Sequence, residues 1–262
     1  MLLIIEKLKE KDKPFVFIDT HSGAGLYDLT SEQAMKRSEY ETGIGRLLQT
    51  KEQFPELCDY FELISLLNPG HRLIRYPGSP RIAAHLLHKR DRLILMEFHN
   101  SEIEHLRKNM RGDNRICIHH RDGFEGLVAV LPPEPARGLV LIDPAYEVKE
   151  DYKRVVSCMQ EAYRRWSTGI YTIWYPILST HRDKSSSMLQ QLGQCDFKNL
   201  LIAELSVGEQ RQDFGMHGSG MAIINAPWQL DQQLESILRK LYKVLAQNSA
   251  ASWRIDWQIS PV

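Results

Sequence analysis

The chain has 262 residues, enough for one α/β domain or two small ones, and 43% of the residues are hydrophobic, which provides for a sizeable core. Basic and acidic residues both number 33, so the formal net charge is zero and any nucleic-acid contact must be a local basic patch. The sequence contains neither a membrane-length apolar run nor a signal-peptide pattern, and its four cysteines lack paired spacing, which favours a cytoplasmic protein with free thiols over a disulfide or zinc framework.

Short β-rich runs alternate with helical patterns along most of the chain, and we expect a single domain over residues 1–262. Such alternation predicts an α/β fold with a doubly wound, mostly parallel sheet. Seven strands are predicted at residues 15–19, 92–97, 115–118, 138–142, 169–175, 200–205 and 220–225, and residues 253–257 suggest a terminal strand. Helices are predicted near residues 2–10, 82–89, 101–110, 123–132, 151–166, 184–192 and 230–245.

The alternation of strands and helices is interrupted between about residues 26 and 77. Helical spacing appears there at 39–48 and 54–67, with no predicted strand between the two segments. We interpret this stretch as a small helical insertion beside the cofactor cleft. Ser79 is the expected N-cap of the helix that resumes the main domain, with Pro80 in its first turn.

Four acids, Asp19, Glu97, Asp122 and Asp143, stand where a strand ends or the next helix begins. In a doubly wound sheet such points line one edge, where ligands bind. An acid at the position of Glu97 can accept both hydroxyls of a ribose. Asp122 could accept the amine of an adenine whose face is covered by Phe124. Each acid taken alone is better explained as a helix N-cap or a solvated loop residue, and only their order on successive elements, together with the glycine loop, indicates a ligand site.

The loop after the first strand, His21-Ser22-Gly23-Ala24-Gly25, would lie against the middle of a cofactor. A dinucleotide site needs a third glycine, which is absent, and Asp28 would repel phosphate. The loop therefore favours S-adenosylmethionine over a nicotinamide cofactor, and an oxidoreductase on the same fold is the less favoured alternative.

The residues that follow the fourth predicted strand combine two acceptors and an aromatic ring. The Asp143 carboxylate and the Pro144 carbonyl could accept the two hydrogens of an exocyclic amine, and Tyr146 could stack on the base. The segment resembles the Asp-Pro-Pro-Tyr motif of N6-adenine methyltransferases, with Ala145 in place of the second proline. The alternative is an ordinary strand and turn on which Tyr146 packs.

Over nearly the whole chain the sequence resembles the bacterial 23S ribosomal RNA adenine-N6 methyltransferase family called RlmJ, some members of which carry the label "catabolism of external DNA". The matching motifs are Asp19-Thr20-His21-Ser22-Gly23-Ala24-Gly25, Tyr76-Pro77-Gly78-Ser79-Pro80, Asp122-Gly123-Phe124, Leu141-Ile142-Asp143-Pro144, Thr168-Gly169-Ile170-Tyr171, Trp174-Tyr175-Pro176 and Ala226-Pro227-Trp228.

The resemblance implies a class I S-adenosylmethionine-dependent methyltransferase with a Rossmann-like, seven-stranded sheet. It also implies a monomer that methylates an adenine of 23S ribosomal RNA without a metal ion. The family begins with a His- and Lys-containing segment that helps to bind cofactor and RNA, and this sequence starts at a Met inside the helix after it. By resemblance Asp143 is catalytic, and the cofactor-binding residues are His21, Gly23, Ser79, Glu97, Asp122, Gly123 and Asp143.

Two alternatives stay open at this stage: a protein that binds or uses DNA, and a DNA adenine methyltransferase on the same fold. Basic residues could bind RNA phosphates or simply form solvated helix faces. Those within the insertion or at its return are Arg46, Lys51, Arg72 and Arg75, and those elsewhere include Arg107, Lys108, Arg111, Lys149, Lys153, Arg154, Arg164 and Arg165.

Overall fold

The computed structural model describes residues 1–32, 40–70, 72–210, 212 and 215–261. Ten strands lie within these ranges: β1 Val16–Asp19, β2 Leu26–Asp28, β3 Arg75–Pro77, β4 Arg92–Glu97, β5 Ile116–His120, β6 Gly138–Ile142, β7 Ile170–Leu178, β8 Leu200–Ser206, β9 Met216–Ile224 and β10 Ser252–Ile259. The α-helices described are α1 Leu2–Lys9, α2 Arg46–Gln49, α3 Cys58–Leu67, α4 Ser79–Leu86, α5 Asn100–Asn109, α6 Gly123–Val130, α7 Glu150–Arg165, α8 Ser185–Gly193 and α9 Leu230–Leu245.

Eight of the strands form one sheet in the order β10-β8-β9-β7-β6-β1-β4-β5. Pairing is parallel from β5 through β7, and β9 runs antiparallel between β7 and β8. The α/β class and the mostly parallel sheet are confirmed. The implied count of seven strands is wrong by one, because the terminal strand suggested at 253–257 is real and pairs antiparallel with β8 along the sheet edge.

Helices cover both faces of the sheet, because alternate residues of its central strands point to opposite sides. Val16 and Ile18 of β1 pack with α6, α7 and α8, whereas Phe17 packs with α1, α4, α5 and α9. All residues of β1 and β6 are buried, as expected for parallel strands with a helical layer on each side. This double covering leaves the strand ends as the place for a ligand.

The insertion is built on a two-stranded ribbon, which the sequence analysis did not predict. Strands β2 and β3 pair antiparallel, Tyr27 opposite Tyr76, so the insertion leaves and returns at one point beside the loop after β1. A π-helical turn over Glu41–Gly45, α2 and α3 form the described lobe, and residues 33–39 of the predicted helical segment lie outside the described residues. The lobe has its own apolar cluster, which packs against Leu241 and Val244 of α9.

Polar contacts with α9 and its C-terminal end also hold the lobe to the main domain. The Arg46 guanidinium donates to the backbone oxygen of Ala246 at 3.1 Å, and Lys240 pairs with Glu56 at 2.7 Å. Arg46 therefore holds the lobe against the end of α9, which makes it a structural residue more than an RNA contact. In the described ranges no helix is long and apolar enough to cross a bilayer.

Candidate functional site

The expected ligand cleft lies at the carboxyl ends of β1, β4, β5 and β6. Strand β1 stands between β4 and β6, and the chain leaves β1 and β6 towards opposite faces of the sheet. Such a switch in direction opens a crevice at the strand ends. Asp19, Glu97, Asp122 and Asp143 all stand at this edge, so the structure brings the four predicted acids to one place.

Asp19 anchors the loop after β1. Its side chain is fully buried, and it accepts hydrogen bonds from the Ser79 hydroxyl at 2.6 Å and from the His21 N–H at 3.2 Å. Ser79 is therefore not the N-cap that the sequence predicted: α4 begins at Ser79 after an extended Gly78, and the hydroxyl is used across the cleft. This bond joins the return of the insertion to the end of β1.

The glycine loop turns back under the ribbon. Gly23 and Gly25 both have positive φ, a conformation that other residues rarely adopt. The Gly78 N–H donates to the Gly25 carbonyl at 3.0 Å, and the ring of Tyr27 lies so close to Gly23 that a Cβ there would overlap its hydroxyl. Tyr27 thus borders the loop. The sequence analysis did not select it, because the strand β2 that carries it was not predicted.

Glu97 closes the other side of this loop. Its two carboxylate oxygens accept the Gly23 N–H at 2.8 Å and the His99 N–H at 2.7 Å. Because a carboxylate offers about four lone-pair sites, each oxygen keeps room for a further donor such as a sugar hydroxyl. The predicted ribose acid is therefore held in place and still able to bind.

Asp122 caps α6 and also forms an ion pair. Its Oδ1 accepts the N–H groups of Phe124 and Glu125, and its Oδ2 accepts from Arg154 at 2.7 Å. Burial acts to raise the pKa of Asp122, but the Arg154 hydrogen bond and the two N–H groups outweigh it and hold the pKa below its usual range. Gly123 is needed for space, because a Cβ there would overlap the Thr20 carbonyl oxygen.

Phe124, close to Asp122 in the sequence, does not have the exposed ring face that the prediction of adenine stacking requires. Phe124 is only 6% exposed: the His21 ring packs on it edge-on at 4.9 Å, and the Arg154 guanidinium lies over its face at 4.4 Å. An adenine therefore has no open Phe124 face to lie on in this structure. Burial, only partly offset by Asp122, lowers the pKa of His21 to about 4, so its imidazole is neutral at pH 7.

Asp143 differs from the other three acids in having no hydrogen-bond donor within reach among the described residues. The same is true of the Pro144 carbonyl. Burial, and then the charge of neighbouring Asp19, raise the pKa of Asp143 to about 7. Burial likewise raises the pKa of Asp19 to about 7, although Ser79 and the His21 N–H oppose this. Two unpaired acceptors thus stand side by side at the end of β6.

Tyr146 does not stand where the stacking prediction needs it. Its side chain is 4% exposed, its ring packs on Tyr152 at 4.6 Å, and its hydroxyl donates to the Trp174 carbonyl at 2.7 Å. The structure agrees with the alternative only in that Tyr146 packs inside the protein, where its ring contacts Tyr152 of α7. With φ at 53° and the ring held in the core, Tyr146 fixes the direction of the loop that presents Asp143 and Pro144.

The basic residues considered as RNA contacts differ in their surroundings. Arg154 forms an ion pair with Asp122, while Arg107 and Arg165 pair with glutamates on their own helices at 2.6 and 3.3 Å. Helix α7 has 16 residues, about 23 Å of rise, so Arg164 and Arg165 lie at the opposite edge of the sheet from Asp143. In the described part of the chain, no group of three or more His, Cys, Asp and Glu side chains could hold a metal ion.

Comparison with known proteins identifies the family. Residues 12–259 match the family model described as "Ribosomal RNA large subunit methyltransferase D, RlmJ". The chain belongs to this family. Two RlmJ relatives are named "Ribosomal RNA large subunit methyltransferase J": one from Haemophilus influenzae, 41% identical over 98% of this chain and 91% of its own length, and one from Escherichia coli, 43% identical over 97% and 90%.

The RlmJ fold is also found in a crystal structure. A Legionella pneumophila protein superposes with a TM-score of 0.88 at 33% identity, covering 97% of this chain and 92% of the other. The α/β architecture with its mostly parallel sheet is therefore shared with a solved structure over nearly the whole length of the chain.

Proposed function

We propose that this protein is an S-adenosylmethionine-dependent methyltransferase that modifies the N6 amine of an adenine in 23S ribosomal RNA. The observation that carries the proposal is the pair formed by the Asp143 carboxyl and the Pro144 carbonyl, two acceptors without donors among the described residues at the ligand edge of the sheet. An exocyclic amine has two hydrogens to give, and few other groups on a nucleic acid satisfy both acceptors at once.

The residues of the cleft fit S-adenosylmethionine. Glu97 retains acceptor sites for the ribose hydroxyls, Asp122 keeps one on Oδ2 for the adenine amine, and His21, Gly23, Ser79 and Gly123 shape the loop between them. Acids that face a shared crevice suit a ligand rich in hydroxyl, amine and cationic groups, whereas they repel a pyrophosphate. The bound cofactor would supply an electrophilic methyl group.

The chemistry assigned to the protein itself is orientation and proton uptake. The amine lone pair of adenine is delocalised into the ring, and two hydrogen bonds to Asp143 and the Pro144 carbonyl draw the nitrogen towards tetrahedral geometry. Methylation leaves one proton in excess on the nitrogen, and Asp143 takes it. Positioning and fixed charge account for most of the acceleration.

RNA is favoured over DNA by the names of the two relatives, both of which refer to ribosomal RNA. An adenine in a loop also unstacks at lower cost than one in a duplex. Tyr146 is not available to cover the extruded base in this conformation, so we assign it to holding the Asp143 loop. The DNA alternatives have no feature of the structure that favours them.

The test has two parts. Calorimetry should give micromolar binding of S-adenosylhomocysteine and no comparable binding of NAD. The protein should then transfer labelled methyl groups to 23S ribosomal RNA from cells that lack the gene, and mass spectrometry of the digested nucleosides should show N6-methyladenosine. Methylation of DNA alone, or tight binding of NAD without any binding of the S-adenosyl compound, would refute the proposal.

A further inference from the structure

We infer that Arg154 forms one wall of the cofactor's adenine site, taking the place that the sequence analysis gave to Phe124. The inference rests on the proposed function, since it concerns the same cofactor. It adds a specificity-determining residue that lies on α7, outside the strand-end motifs.

Arg154 is fixed by two contacts in the same corner. One nitrogen of its guanidinium is 2.7 Å from Oδ2 of Asp122, and its central carbon lies 4.4 Å above the ring of Phe124. An ion pair at an exposed site contributes little by itself. The combination with an aromatic ring is different, because the guanidinium is held over the face of Phe124 while one of its nitrogens donates to the Asp122 carboxylate.

The outer side of Arg154 remains open. Its side chain is 44% exposed and that of Asp122 is 23% exposed, whereas Phe124 is covered by Arg154 on its face and by His21 at its edge. A planar base whose amine reaches Oδ2 of Asp122 therefore meets the guanidinium and not the phenyl ring. The order of layers that we infer is Phe124, then Arg154, then adenine.

This arrangement also explains how the corner selects adenine. Arg154 lowers the pKa of Asp122, so the carboxylate remains an acceptor over the working pH range. An acceptor binds the N6 amine of adenine, and it repels the O6 carbonyl of hypoxanthine. The face of a guanidinium stacks on any purine, so Arg154 supplies affinity and Asp122 supplies the choice between amine and carbonyl.

The experiment measures binding of S-adenosylhomocysteine by calorimetry to the full chain and to three variants. Arg154→Ala should weaken binding about tenfold, which corresponds to about 1.4 kcal/mol. Arg154→Lys keeps the positive charge but lacks the planar guanidinium, so it should weaken binding by less than Arg154→Ala does. Arg164→Ala, the same change at the far end of the same helix, should leave the affinity unchanged.

Two further readouts separate this role from a structural one. At saturating cofactor the kcat of Arg154→Ala should stay near that of the wild type while the KM for the cofactor rises, and the melting temperature should remain within a few degrees. Unchanged affinity in a folded Arg154→Ala protein would overturn the inference. Failure of the wild-type protein to bind the S-adenosyl compound would instead refute the proposed function, so the two outcomes are distinct.

Discussion

The Ser79 hydroxyl and the Asp19 carboxyl form a hydrogen bond of 2.6 Å between the start of α4 and the end of β1. Asp19 is fully buried, and the insertion separates the two residues in the sequence. The bond therefore fixes the return of the insertion against the cofactor loop. It also stabilises the charged form of a carboxyl whose pKa burial raises to about 7.

Ser79→Ala should destabilise the protein more at pH 8 than at pH 5. The pKa of Asp19 is higher in the folded than in the unfolded protein, so ionisation of Asp19 costs stability as the pH rises from about 4 through about 7. Loss of the hydroxyl increases that cost by about 1.5–3 kcal/mol at pH 8, the usual contribution of a hydrogen bond to a charged group. Urea unfolding at both pH values measures it.

The matched control for Ser79 is Ser22, whose hydroxyl donates to the backbone carbonyl of Asp19 at 3.3 Å and not to its carboxyl. Ser22→Ala should lower stability by a similar amount at pH 5 and pH 8. A pH-independent effect of Ser79→Ala would show that its hydroxyl does not stabilise the ionised acid.

Methyl transfer should lose activity as the pH falls through about 7. Asp143 must be ionised to accept the amine hydrogens, and burial together with the charge of Asp19 raises its pKa to about 7. The two acids titrate as a pair, so two apparent pKa values are expected in the profile of kcat/KM for the cofactor. Asp19→Asn removes the neighbouring charge and should move the Asp143 ionisation to lower pH.

Asp28→Asn provides the comparison, because Asp28 is an exposed acid of the ribbon whose carboxylate is bound by Thr30. That variant should keep the wild-type midpoint. A profile that stays flat from pH 5.5 to pH 8.5 in the wild type would mean that Asp143 does not have to ionise for the reaction.

The exposed basic residues of the insertion should contribute to RNA binding. Lys51, Arg72 and Arg75 are exposed and lie in the insertion or at its return. Replacing all three by alanine should weaken binding to a 23S fragment and reduce the slope of log K against log salt by about 2, the value for three phosphate contacts on a single strand.

Arg46 is left out of that set because it bonds the backbone of Ala246, and Arg46→Ala should lower stability instead. The charge-matched control replaces Arg164, Arg165 and Lys198, which lie towards the opposite sheet edge. Equal losses of salt dependence in both triple variants would indicate diffuse attraction and no docking by the insertion.

The sequence predicted those features that depend on local pattern. It correctly predicted the strands that end at Asp19, Glu97 and Ile142, each with an acid as its last residue or directly after it. Buried strands and their boundaries are marked by a clear change in residue composition. Ser79, Phe124 and Tyr146 were placed near the right elements but given the wrong contacts. Each side chain is directed by a partner distant in sequence: Asp19, Arg154 and Trp174 respectively.

The ribbon of β2 and β3 was missed for a related reason. Each strand has only three residues, too few to show the alternation of apolar and polar residues that identifies a strand. The two strands are also separated in the sequence by the whole insertion. Arg154 was selected only as one of many basic residues, although its position in the first turns of α7, next to the ligand edge of the sheet, distinguishes it from Arg164.

The central claim is that Asp143 meets the target amine while other residues hold the cofactor. Asp143→Ala removes one of two preorganised acceptors in a largely buried site, a loss of about two to three orders of magnitude in rate. Asp143→Asn keeps an acceptor oxygen and should be milder. If Asp143 served only to stabilise its loop, both variants would lose melting temperature and cofactor affinity together.

The most direct test is single-turnover methylation of 23S ribosomal RNA by Asp143→Ala, with S-adenosylhomocysteine binding and melting temperature measured on the same protein. We predict that methyl transfer falls at least a hundredfold, about the loss expected for one oxyanion-type contact. The affinity for S-adenosylhomocysteine and the melting temperature should stay close to the wild-type values. Unchanged single-turnover methylation by Asp143→Ala would contradict the assignment and, with it, the proposed transfer to an adenine amine.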